Sequence, residues 1–138
     1  MRRKVPIWLW GVCLPALMTL VPGCESGRVS LARKGAVKLE PRTAGKVRVA
    51  WSDAYTDEKG FTVTGVVRRE DTVGRPIKVN VQVTVLSPDG STWGEALSDD
   101  LYVPRHAVSK VQGFERFRLH FPNIPPEGSS VLIVPRDS

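Results

Sequence analysis

Beyond residue 23 the chain has no methionine and one cysteine, Cys24, while its other cysteine, Cys13, sits in an apolar N-terminal run. A lone cysteine excludes an intramolecular disulfide, so a domain starting there is held by packing alone. Without methionine, a copper site of the thioether type is not expected. Histidine is also scarce: His106 and His120 stand fourteen positions apart, with no H-x-x-x-H and no C-x-x-C. That spacing gives no zinc motif. No G-x-S-x-G elbow, S-x-x-K or G-x-x-x-x-G-K-[ST] loop occurs, and Gly60, Gly90 and Gly128 stand in turn contexts. Asp99-Asp100 reads as a solvated loop, with calcium as the alternative. No catalytic residue, metal or cofactor is expected, so the chain reads as non-enzymatic. A hydrolase whose site assembles only in space is the remote alternative.

Acid is missing from residues 1–23, where Arg2, Arg3 and Lys4 carry three positive charges. The full chain of 138 residues is +6, which leaves +3 after residue 23. The basic balance therefore belongs largely to the N-terminus and is a poor argument for a nucleic-acid partner; none is expected. After the basic start come an uncharged stretch, Val5 to Val21, and then Leu20-Val21-Pro22-Gly23-Cys24. At about 1.5 Å per residue the stretch is marginal for a bilayer core of about 30 Å. Pro6 and Pro15 weaken it further as a permanent span, and the order of elements is that of a cleaved signal peptide.

Its end resembles the lipobox of bacterial lipoproteins: Val21 at −3, Gly23 at −1, Cys24 at +1, with Pro22 departing from the usual small or aliphatic residue. The resemblance implies cleavage between Gly23 and Cys24 and lipid, palmitate included, on the Cys24 sulfur. Two or three acyl chains at about 0.8 kcal/mol per buried CH₂ make a stable anchor. It further implies a periplasm-facing protein. Glu25, not aspartate, follows the cysteine. In enterobacterial lipoproteins aspartate there favours inner-membrane retention, so the outer membrane is expected. A C-terminal run, F-x-L-x-F-P-x-x-P-P-x-G-S-x-V from Phe117 to Val131, is similar to that of small bacterial lipoproteins. It implies no activity.

Three segments follow: residues 1–23 as signal peptide, 24–45 as a lipidated tether, and 46–138 as one domain. In the tether apolar residues are sparse, and Gly35 to Leu39 reads as linker, with a short edge strand as the alternative. About twenty flexible residues would reach roughly 25 Å. From Lys46 the pattern alternates. Val47, Val49 and Trp51 share one parity; Phe61, Val63, Gly65 and Val67 follow a turn at Asp57-Glu58-Lys59-Gly60. Ile77, Val79, Val81, Val83 and Val85 alternate with Lys78, Asn80, Gln82 and Thr84. Period two with one polar face predicts antiparallel strands, each with a buried side. Weaker strands are expected at Ser91–Ala96 and Leu101–Val103, and further strands at Gly113–Phe121 and Ser130–Val134, with prolines at turns or strand ends. About seven strands predict an all-β, antiparallel two-sheet sandwich of immunoglobulin-like or fibronectin-type architecture. A small barrel is the alternative.

Two surface clusters are candidates for interaction. Tyr102 and Arg105 stand at a strand-to-loop transition, where tyrosine and arginine favour interfaces or build a structural corner. Arg116, Arg118 and His120 make a basic stripe. It reads as a face for anionic polymer (lipopolysaccharide, peptidoglycan or an acidic protein) or as a wet sheet face that resists edge pairing. Trp51 and Trp93 are expected in the core or at its rim. The whole reads as a lipid-anchored accessory module with an envelope protein as partner, or as a binder of a small ligand or envelope glycan.

Overall fold

The computed structural model describes residues 27–71, 74–104 and 113–138. The leader with Gly23 and Cys24, and Arg105 and His106, lie outside the described residues. Ten strands are present: β1 (Val29–Ser30), β2 (Val37–Pro41), β3 (Thr43–Ala44), β4 (Val47–Asp57), β5 (Gly60–Arg69), β6 (Ile77–Leu86), β7 (Thr92–Leu97), β8 (Leu101–Val103), β9 (Phe114–Phe121) and β10 (Ser129–Asp137). They form two five-stranded sheets. In the first the order is β1-β4-β5-β9, with β3 also on β4; in the second it is β2-β10-β6-β7, with β8 also on β6. Neither closes on itself, so the fold is a sandwich and not a barrel. The last two strands, β9 and β10, belong to opposite sheets. In an immunoglobulin domain the last two strands share one sheet, so the architecture is shared and the strand order is this chain's own.

The core lies where the alternating faces meet. Val79, Val81, Val83 and Val85 of β6 are fully buried, as are Phe61, Val63 and Val67 of β5 and Val131 and Ile133 of β10. Each side chain of this kind contributes about 1.5–3 kcal/mol relative to leaving it in water. Phe61, Trp93 and Phe121 form one aromatic cluster between the sheets, and Trp93 is partly buried at the rim. The β4–β5 turn is a two-residue loop between Asp57 and Gly60, in which the Asp57 carboxylate accepts the Lys59 N–H at 2.8 Å. Gly60 has φ 129°, and a Cβ there would come within 2.8 Å of the Pro122 carbonyl oxygen, so only glycine fits.

All seven expected strands are present, with three departures around them. The segment read as tether supplies β1, β2 and β3, so the sandwich begins before Lys46. Val37 is buried, and β2 runs parallel to β10 from Val37 opposite Ser129 to Pro41 opposite Ile133, the one parallel pairing among the described residues. The last strand continues through a buried Pro135 to Asp137. Since β2 leaves β10 at Ile133, β10 has no ladder partner on that side beyond it, which is where a strand tolerates proline.

The third departure concerns Trp51. Val49 pairs with Val67, but Trp51 pairs with Val66, so β4 carries a bulge between them. One extra residue reverses the parity downstream. Trp51 accordingly leaves the core side, where alternation from Val47 and Val49 puts it, and is 52% exposed on the outer face.

At the end of β5, Arg69 points inward and is buried. Its guanidinium donates to both oxygens of Asp71, at 3.0 Å from Nη2 to Oδ2, and to the Arg75 carbonyl, while Lys46 Nζ stands 3.2 Å from Asp71. The hydrogen bonds from Arg69, joined by those from Lys46, hold the Asp71 carboxyl below its ordinary 3.8. A carboxyl that is more acidic when folded stabilises above its unfolded pKa, and that stability is lost as pH falls through the folded one. Asp71→Asn is therefore expected to be less stable than the parent at pH 7, with the gap closing on acidification below pH about 4. Urea titrations at both pH values check this; a gap that persists in acid contradicts it.

Candidate functional site

The outer face of the first sheet is built in cross-strand rows. Trp51, Val66 and Arg116 form one row; Asp53, Thr64 and Arg118 the next; Tyr55, Thr62 and His120 the third. Alternation puts these residues outside because Phe117, Leu119 and Phe121 on β9, and Phe61, Val63 and Val67 on β5, face the core. β1 then lies along the free side of β4, with Val29 opposite Thr56 and Ser30 opposite Tyr55. Its flanks add Arg28 and Arg33.

The result is an open groove of about 870 Å³ with four arginines, Arg28, Arg33, Arg116 and Arg118, and a half-exposed Trp51 in its lining. Among the described residues no ion pair engages Arg33, Arg116 or Arg118. Arg28 stands over the Tyr55 ring, 5.2 Å from its centroid, which covers the tyrosine. The groove's one carboxylate, Asp53, is held by local donors: Ser30 Oγ at 2.8 Å and the Ala54 N–H at 2.9 Å. Asp53 thereby ties β1 to β4. The site has four cations against one acid and an aromatic ring between them.

The bulge and Gly65 shape this face together. Gly65 pairs with Ser52 on one side and Phe117 on the other. A Cβ on Gly65 would lie 2.5 Å from the Trp51 carbonyl oxygen and 2.6 Å from Phe117 Cζ. The missing side chain lets the bulged strand close in.

Of the residues singled out in the sequence, Arg116 and Arg118 come together in this groove. Tyr102 lies on the other side of the sandwich: it pairs with Lys78 in the second sheet and is 61% exposed. The two candidate clusters thus lie on different sheets, Tyr102 on the second and Arg116 and Arg118 on the first. No hydrogen bond of the Tyr102 side chain occurs among the described residues, and Arg105 lies outside them. His120 shares a hydrogen bond with Thr62 at 3.2 Å between Nδ1 and Oγ1. Asp100 is taken up by Lys78 Nζ at 2.7 Å, Asn80 Nδ2 at 2.9 Å and Ser138 Oγ at 3.3 Å. The Lys78 bond, then the Asn80 bond, lowers its pKa. That carboxylate acts as a clamp joining β6 to the chain's C-terminal end. Among the described residues no cluster of three or more metal-type ligands occurs.

Sequence reasoning missed Arg28, Arg33 and Trp51 as members of the site. The arginines fell in the segment read as tether, and the bulge hid the tryptophan. No protein family, curated protein or solved structure matches the chain. The chemistry of this surface therefore carries the functional reading. Arginine forks suit carboxylate and phosphate oxygens, which they bind in pairs. An open, shallow shape suits an extended or planar surface better than a small molecule that must be enclosed.

Proposed function

We propose that this chain is a non-enzymatic module of the bacterial cell envelope, lipid-anchored at Cys24 and facing the periplasm. It contacts another envelope component through the outer face of its first sheet. The supporting observation is the groove: Arg33, Arg116 and Arg118 without acidic partners among the described residues, grouped around an exposed Trp51. Guanidinium groups left unpaired on a sheet face have a use when an anionic partner supplies the oxygens. The anchor rests on the Val21-Pro22-Gly23-Cys24 signal, and Glu25 favours the outer membrane.

Cys24→Ala is expected to abolish labelling by a palmitate analogue and to leave the precursor uncleaved. Retained labelling overturns the anchor. Crosslinking from position 118 in native envelopes is expected to capture an envelope component, and capture of nothing overturns the contact. A second reading has an envelope protein adding a strand to β7. It is favoured by the position of β7 at the end of the second sheet and by Leu97, 59% exposed on it.

A further inference from the structure

The groove and the anchor are close in the chain. Arg28 lines the groove, and only Glu25, Ser26 and Gly27 separate it from Cys24. Four residue steps span at most about 14 Å even when fully extended. A lipidated Cys24 has its sulfur at the membrane surface, so the rim of the groove is held within that distance of the headgroups. The face so placed carries Arg33, Arg116 and Arg118, which no ion pair engages among the described residues, with Arg28 over Tyr55 beside them. It also carries the exposed Trp51 ring. Tryptophan favours the headgroup level of a bilayer, and arginines near an anionic leaflet are attracted to it.

We infer that the groove's occupant is the membrane surface itself: the outer face of the first sheet lies on the anionic phosphates of the leaflet that anchors the protein. Arg28, Arg33, Arg116 and Arg118 contact headgroup phosphates, and Trp51 sits among the headgroups. The opposite face, with Tyr102 and Leu97 exposed, points away from the membrane. This assignment deepens the anchored-module reading and rests on it. Length of chain and charge select this occupant. A soluble acidic protein would need no arginine-lined face so close to the lipid, whereas the leaflet presents phosphates at that height continuously. Asp53 keeps its negative charge, and the four arginines of the groove outnumber it.

The test uses the full-length protein in vesicles of phosphatidylglycerol or of phosphatidylcholine, with benzoylphenylalanine introduced at position 51 or, separately, at 102. Irradiation is expected to give a lipid adduct from position 51 in phosphatidylglycerol and little from position 102. One arginine near an anionic surface contributes about five-fold. Arg116→Gln with Arg118→Gln is therefore expected to shift the docking equilibrium roughly 25-fold and lower the adduct yield. Salt at several times physiological strength acts the same way. Equal lipid adducts from positions 51 and 102 overturn the inference, as does a yield at 51 that ignores both lipid charge and the arginine changes. In native envelopes, a protein adduct from position 51 in place of lipid also overturns it. That last result leaves the anchored module standing, whereas acyl labelling that persists in Cys24→Ala removes the anchor instead.

Discussion

Gly65→Ala is expected to cost the sandwich about 3 kcal/mol, the upper end of what overpacking a closed interior costs. The new methyl would stand 2.5 Å from a backbone oxygen, Trp51 O, and 2.6–2.7 Å from the Phe117 ring. A flexible side chain can swing away from such a clash. Here the first obstacle is the main chain of the bulge and the second is a buried ring at 3% exposure. Either β4 separates from β5 at the bulge or Phe117 leaves its place. Urea unfolding reads the loss as a lower midpoint at unchanged slope. Combining Gly65→Ala with Phe117→Leu is expected to restore part of the stability, since it frees one of the two obstacles; full additivity would show that the ring is no obstacle. A loss below about 0.5 kcal/mol in the single variant would mean that the bulge is not packed as described.

Phe61→Ala is expected to cost about 4 kcal/mol, within the range for removing a buried aromatic ring. The ring is fully buried and meets Trp93 edge-on at 6.4 Å and 87°, and Phe121 at 5.8 Å. These contacts join β5 and β9 of one sheet to β7 of the other. Each aromatic pair adds about 0.5–1.5 kcal/mol beyond area burial. Ordinary domains have only about 5–15 kcal/mol in total, so the variant would be marginal at body temperature. Near-ultraviolet circular dichroism should lose the signal of an immobilised Trp93 before the β signal is lost. A variant as stable as the parent would show that the two sheets do not depend on this cluster.

The two-sheet architecture was legible because alternation is a local signal. In β6 each valine reports its own face, and no distant partner is needed to read it. Arg116 and Arg118 were legible for the same reason, as the odd positions out between Phe117, Leu119 and Phe121. What alternation cannot carry is a change of register. Val47, Val49 and Trp51 look like one face, and only pairing with β5 shows the extra residue that turns Trp51 outward. Nor can it carry a long-range parallel partner. Gly35 to Leu39 could be read as an edge strand or as plain linker, and Val37–Pro41 is a strand because β10 offers it an edge. The candidate site combines one legible part, the stripe on β9, with two illegible ones, the bulge in β4 and the return of β1. It could not be assembled from the sequence.

The pairing of β2 with β10 also governs how the protein is made. A chain emerges N-terminus first, so β4–β5 and β6–β7 can zip as hairpins early. β2 has no partner until Ser129–Asp137 is released, and β6 until then lacks the neighbour that covers one of its edges. Pairings this distant in sequence fold slowly, on the millisecond-to-second scale. Until β10 is in place the second sheet stays open along β6, and it closes when β10 slots between β2 and β6.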